Sequence, residues 1–259
     1  MTRTRATRVP PTDAVVLDCD GTLVDTQAHW DRACAAVCAR HGVSLGDTDR
    51  LALVGLHLTE LGRALGRLLG RPAEHEALAG QVRELVAGGL DEGVTAMPGA
   101  AEFVARLSTT RPLAVVSNSP RRAVLQHLAH VGLTDAFELV LGSDDVDHPK
   151  PAPDLYRAAC ERLRVAPGRA VAVEDSAVGI RSARAAGLYA VAVSALPGPA
   201  LTGDAFYTTL ADPELLRSLT RPRAGEHGHP VRAVVAAGRP QTRPGSHDPG
   251  PDRVRLPVS

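Results

Sequence analysis

Aromatic side chains are scarce in this chain: one tryptophan, three tyrosines and three phenylalanines make up 3% of its 259 residues. A core made from it must therefore come from Leu, Val and Ala. Net charge is missing as well, with 29 basic against 29 acidic residues, which excludes a general polyanion-binding surface. Cysteine is limited to Cys19, Cys34, Cys38 and Cys160. Cys34 and Cys38 stand four apart in an apolar helical pattern, and no second ligand pair follows, so free thiols in a reducing compartment are expected rather than disulfides or a zinc site. No apolar run is long enough to span a bilayer, and the basic N-terminus has no secretory apolar segment. These absences predict a cytoplasmic protein with neither nucleic acid nor membrane as partner.

The charge is unevenly distributed. Residues 1–8 carry Arg3, Arg5 and Arg8 and no acid, and seven arginines between 221 and 259 face only Glu226, Asp248 and Asp252. The body between is net acidic, which suits a protein that gathers carboxylates around a divalent cation. Residues 1–12 read as a disordered leader and 221–259, rich in Pro, Gly and Arg, as a disordered tail.

The body is organised around Asp18-Cys19-Asp20-Gly21-Thr22-Leu23-Val24-Asp25, which follows the apolar run 14–17. That run reads as a buried strand, because β-branched residues dominate and no helical period fits. Further strands are expected at 113–116, 137–141, 170–173 and 189–193, with helices at 100–108, 120–131, 154–164, 177–186 and near 212–219. Alternating strands and helices imply an α/β fold with a doubly wound, Rossmann-like parallel sheet. A helical block at 26–94 interrupts the alternation directly after strand one and reads as an inserted all-helical cap domain, leaving 13–25 and 95–220 as the core. Thr26 is the expected N-cap of its first helix. Within the block, Leu-Gly-Arg recurs every four residues from Leu61, which puts Arg63, Arg67 and Arg71 on one stripe and glycines on another. A solvated arginine face with close helix contact at the glycines is the plainer reading of that repeat, and an anion-binding arginine the sharper one.

Strand tips in a parallel sheet share one edge, so Asp18 and Asp20, Ser117 and Asn118, Lys150, and Glu174 and Asp175 converge there. Clustered carboxylates repel unless a hard cation lies between them, and oxygen ligands suit Mg²⁺. A lysine and a serine hydroxyl beside such a cation suit a dianionic phosphoryl group. Each piece has an ordinary alternative: an acidic loop, a helix N-cap at Ser117, a solvated turn at Lys150 or the acidic start of a helix at Glu174.

The motifs Asp18-x-Asp20-Gly21-Thr22-Leu23-Val24-Asp25, Ser117-Asn118, Lys150-Pro151-x-Pro153-Asp154 and Glu174-Asp175-Ser176, with Gly179-Ile180 and Ala185-Ala186-Gly187, occur in this order over residues 13 to about 215. The pattern resembles the haloacid dehalogenase (HAD) superfamily, nearest its phosphatase and beta-phosphoglucomutase branch with a small helical cap. The resemblance implies that Asp18 is a nucleophile forming an aspartyl-phosphate and Asp20 the general acid and base. It implies Mg²⁺ held by Asp18, the Asp20 carbonyl, Asp175 and Glu174. Ser117 and Lys150 would hold phosphoryl oxygens, with Asn118 at the edge of that cradle, and the cap would close over the site. The presence of Asp20 separates the chain from relatives that cleave carbon–halogen bonds.

The implied function is Mg²⁺-dependent hydrolysis of a small phosphorylated metabolite, of the sugar phosphate or phosphoglycolate type. A phosphosugar mutase is the alternative. It is weakened because no arginine stands near Leu58, where those mutases have one in the cap loop, and because Pro120-Arg121 replaces their lysine-asparagine pair. A catalytically idle phosphate- or protein-binding relative is a third reading, disfavoured by the intact aspartate pair. His57 and Arg121 are candidates for contacting substrate. Oligomeric state is not legible.

Overall fold

Alternation within the first strand sets the layering. In the computed structural model, which describes residues 9–53, 56, 58–89, 93–195 and 201–221, strand β1 (Ala14–Leu17) is buried along its whole length. Val15 and Leu17 join one apolar cluster and Val16 another, because successive side chains leave a strand on opposite faces. A strand buried on both faces needs helices on both, and the chain supplies them.

The other strands of the sheet are β4 (Leu113–Val116), β5 (Leu139–Leu141), β6 (Ala170–Glu174), β7 (Tyr189–Val193) and β8 (Ala205–Tyr207), which lie in the order β5-β4-β1-β6-β7-β8. Every pairing is parallel. Helices α5 (Ala100–Ser108), α6 (Arg121–His130) and α9 (Pro213–Thr220) cover one face through residues such as Phe103, Val124 and Leu215. Helices α7 (Asp154–Leu163) and α8 (Ala177–Ala186) cover the other through Leu155, Tyr156 and Ile180. The doubly wound reading is correct. β8 is an addition to the expected strands: three residues are too few to carry a period.

Strand β1 is central, flanked by β4 and β6 in a register that pairs Leu17 with both Val115 and Val173. Asp18 therefore emerges between the end of β4 and the end of β6. The chain's wind reverses direction on either side of β1, which is the crevice where ligands bind in open α/β sheets.

Helices α1 (Gln27–Arg40), α2 (Asp47–Leu53), α3 (Leu58–Leu68) and α4 (His75–Gly89) follow the first strand and have an apolar cluster of their own, including Val37, Leu65, Leu78 and Val82. Both chain connections to this block pass through a two-stranded antiparallel ribbon, β2 (Val24–Asp25) with β3 (Thr95–Ala96). Thr26 occupies the N-cap position of α1 without a side-chain cap bond. The Asp25 carboxylate accepts from the Gln27 amide at 2.9 Å instead, so the capping group is one residue earlier than expected.

Residues 9–12 depart from the predicted disordered leader. Val9 is buried in the sheet's apolar cluster, and the Thr12 hydroxyl bonds the carbonyls of Ala14 and Arg169. The rest of the leader, residues 1–8, and the tail from 222 onward lie outside the described residues. Among the described residues no helix is long and apolar enough to cross a membrane.

The Leu-Gly-Arg repeat follows the plainer reading: Leu61, Gly62, Leu65 and Gly66 are buried while Arg63, Arg67 and Arg71 are exposed. A Cβ at Gly62 would fall 2.3 Å from the His75 carbonyl oxygen and 2.9 Å from the Ala79 Cβ. At Gly80, in the middle of α4, a Cβ meets nothing within 4 Å. Gly→Ala in a helix ordinarily stabilises by up to about 1 kcal/mol. Gly80→Ala should do so, whereas Gly62→Ala should destabilise by about 1–3 kcal/mol through overpacking. Urea unfolding checks the pair, and two shifts of the same sign would contradict the α3–α4 contact.

Candidate active site

Three segments that end strands, and one loop, meet at the tip of β1. The Lys150 ammonium is buried between two carboxylates, 2.6 Å from Asp18 Oδ1 and 2.6 Å from Glu174 Oε1, and it also donates to the Val116 carbonyl at 2.9 Å. Burial alone would lower the lysine's pKa, but the two carboxylates outweigh it and hold the ammonium firmly protonated. The backbone of Lys150 is fixed separately. Asn118 Nδ2 donates to the Lys150 carbonyl, and the Lys150 amide donates to Asn118 Oδ1, both at 2.9 Å. The Asn118 carboxamide thus holds the lysine loop.

Glu174 is fully buried. Oε1 accepts from Lys150 and, at 2.7 Å, from the Tyr156 hydroxyl, while Oε2 accepts from the Ser176 hydroxyl at 3.0 Å. Those bonds make Glu174 the anchor of Lys150 before anything else. The space around its carboxylate depends on Gly179, where a Cβ would fall between 1.8 and 2.1 Å from the Glu174 carboxyl atoms.

Asp18, Glu174 and Asp175 each bring an oxygen within 4.8 Å of one another. One ammonium cannot balance three acids. Burial, and then the neighbouring Glu174, push Asp175 up to about 7. Burial also lifts Asp18 well above the carboxylate range against the pull of Lys150, with Glu174, Asp175 and Asp20 adding to the rise. An excess of hard oxygen donors at one largely buried point is the donor set that suits a divalent cation such as Mg²⁺.

Asp20 lies just past this cluster and is engaged differently. Its Oδ2 accepts from the Ser117 and Ser119 hydroxyls, each at 2.9 Å, and its Oδ1 is 3.1 Å from His127 Nδ1. Burial would raise its pKa, yet the imidazole and the two serines prevail and hold it below the ordinary value. Ser117 Oγ also accepts from the Ser119 amide. Two aspartates two residues apart thus sit in opposite electrostatic settings, one among acids and one among donors.

Of the substrate candidates, Arg121 is exposed at the start of α6 and lines an open hollow of about 470 Å³ together with Arg122, Gln126 and Asp144. Its backbone amide is bonded to Asp144 Oδ1 at 2.7 Å. His57 lies outside the described residues. Sequence reasoning did not single out Ser119, His127 or Tyr156. A signal existed for two of them: Tyr156 is one of few aromatics, and His127 interrupts the apolar face made by Val124 and Leu128.

The haloacid dehalogenase-like hydrolase model matches residues 15–193. Over 182 residues the chain is 33% identical to fructose-1-phosphate phosphatase YqaB of Escherichia coli (strain K12), covering 70% of this chain and 96% of that protein. It is 31% identical over 224 residues to validoxylamine A 7'-phosphate phosphatase of Streptomyces hygroscopicus subsp. limoneus, covering 80% and 94%. A HAD family hydrolase from Deinococcus radiodurans R1, solved with bound phosphate and sodium, superposes with a TM-score of 0.64 and 28% identity over 82% of this chain and 99% of that one. With the sheet order, the strand-tip acids and the buried lysine, these matches lead to one conclusion: the chain belongs to the haloacid dehalogenase-like hydrolase family.

Proposed function

We propose that the protein is a Mg²⁺-dependent phosphomonoester hydrolase acting on a small phosphorylated metabolite of the sugar phosphate type. The observation that carries this reading is the buried contact of Asp18 Oδ1 with Lys150 Nζ at 2.6 Å, beside Asp175 and at the tip of the central strand. The named activities of the relatives, phosphatases of fructose 1-phosphate and of validoxylamine A 7'-phosphate, support the substrate class. The four buried free thiols agree with a reducing cytoplasm.

In this reading Asp18 attacks phosphorus in line, the ester P–O bond breaks, and the alkoxide leaves with a proton carried by Asp20, which must first take that proton up because its donors otherwise keep it ionised. A water then gives a proton to the Asp20 carboxylate and attacks the aspartyl-phosphate, releasing phosphate and restoring Asp18. Lys150 orients the Asp18 carboxylate and offers its charge to the transferring group. Asp18, Asp175 and the Asp20 carbonyl would hold the ion, with Glu174 at its edge. When bound, Mg²⁺ offsets negative charge on the attacking carboxylate and on the phosphoryl oxygens. The helical block 26–94 serves as the cap that excludes bulk water from these steps.

Asp18→Asn should lower phosphate release from fructose 1-phosphate by about a thousandfold or more. Undiminished release in that variant would remove Asp18 from the nucleophile's role. Removing Glu174 should act first on the fold. Glu174→Ala removes one of the three acceptors of Lys150 and the carboxylate that Tyr156 and Ser176 bond, and loss of one partner from a buried pair costs about 3–5 kcal/mol. Denaturant unfolding without added metal measures that loss. In a parallel Mg²⁺ titration followed by thermal unfolding, Asp175→Asn should weaken the ion's stabilising effect more than a Glu174→Gln variant does. The reverse order would make Glu174 a principal ligand.

A further inference from the structure

The Asp20 carboxylate is bonded by two serines and approached by a histidine, and all three belong to one stretch of chain. Ser117 directly follows β4, Ser119 sits in the turn after it, and His127 lies two turns into α6. His127 has no exposed surface. Its helix neighbours Val124 and Leu128 are buried in the sheet's apolar cluster, a place where a polar ring is expensive unless its hydrogen-bonding groups are used.

Apart from Asp20, neither imidazole nitrogen has a polar partner among the described residues, and the approach of Nδ1 to Oδ1 is oblique. Hydrogen bonds of this kind in unliganded sites are often misaligned and tighten when substrate binds. The two neutral tautomers are not equivalent in this setting. A proton on Nε2 would leave a buried donor unpaired and would face the Nδ1 lone pair against a carboxylate oxygen. A proton on Nδ1 lies nearest Oδ1, though off the line between them, and leaves Nε2 merely an unused acceptor, the cheaper omission. Cys19 Sγ also lies within 4.8 Å of the Asp20 and His127 ligand atoms. Its burial pushes the thiol's pKa well up, so it does not compete as a ligand-forming thiolate.

We propose that His127 is a positioning residue for proton transfer: its Nδ1–H fixes Oδ1 of Asp20 while Ser117 and Ser119 fix Oδ2, which leaves the carboxylate one orientation. The inference rests on the reading of Asp20 as the proton carrier. It assigns a fully buried side chain packed against the acid to the acid's aim. Because the donors reach both oxygens, rotation of the carboxylate about its Cβ–Cγ bond breaks at least one hydrogen bond.

The test compares kcat/KM for fructose 1-phosphate, whose alkoxide needs a proton to leave, with that for para-nitrophenyl phosphate, whose leaving group does not. His127→Leu should lower the first by about tenfold or more, the effect of losing one hydrogen bond to a charged group, and the second by less than about threefold. His127→Asn places an amide N–H where Nδ1 stands and should recover most of the loss, whereas His127→Gln places it where Nε2 stands and should not. Equal losses on both substrates, no loss on either, or equal behaviour of the Asn and Gln variants would overturn the proposal. If the Leu variant does not fold, the Asn and Gln pair decides alone. Asp20→Ala separates this from failure of the underlying reading. Should that variant lose no selectivity between the two substrates, the role of Asp20 as acid is wrong. Should it show the selectivity while the His127 variants do not, only the role of His127 is wrong. Adding His127→Leu to Asp20→Ala should bring no further loss.

Discussion

A single ammonium group, that of Lys150, is the charge on which the site's geometry depends. It is buried within 2.6 Å of two acids and within 2.9 Å of a strand-end carbonyl, where bulk solvent does little to screen those contacts. Isolated charges in such surroundings are expensive; paired and fully hydrogen-bonded ones persist. The rest of the tip can be read outward from that demand. Asn118 fixes the lysine's backbone from β4, Glu174 fixes its head from β6, and Tyr156 and Ser176 then satisfy the remaining capacity of Glu174. Four segments distant in sequence are thereby tied at one point, and Asp18 sits where they meet.

That arrangement explains the division of labour between the two aspartates. Asp18 is crowded by acids and held by one cation, so its environment favours anything that adds positive charge. Asp20 is surrounded by hydroxyls and an imidazole, which favour its ionised form without further help. Environment rather than residue type thus separates the two: Asp18 needs added positive charge before its carboxylate is free to attack, whereas Asp20 stands ready to accept a proton. The core accommodates both within three residues because the chain turns sharply after Asp20, where the Gly21 amide bonds the Val24 carbonyl at 2.8 Å and the ribbon to the helical block begins.

Much of this was legible in the sequence because it is periodic or local. Runs such as 14–17 and 170–173 are uniformly apolar, so their burial as parallel strands follows from composition, and the polar residues after them must then share an edge. What the sequence did not convey is which side chain bonds which. Asn118 reads as a possible phosphate ligand but bonds the Lys150 backbone, a contact across 32 residues. Glu174 reads as a metal ligand but spends its oxygens on a lysine, a tyrosine and a serine. His127 stands at a position that any apolar residue could fill, and only the fold brings Asp20 against it. Strand β8 was hidden for a different reason: a three-residue strand at the sheet edge gets its conformation from pairing with β7, not from its own pattern.

The missing side chain at position 179 carries this beyond the ionisable groups. A single methyl there would occupy the space of the Glu174 carboxylate, and the displaced acid would release Lys150, then Asp18. In a survey of all substitutions scored by activity, Gly179 would therefore be as intolerant as the nucleophile although it has no chemistry to lose. A map of such intolerance outlines the volume that a buried charge network must keep empty, and that volume belongs to the active site as much as the atoms around it do.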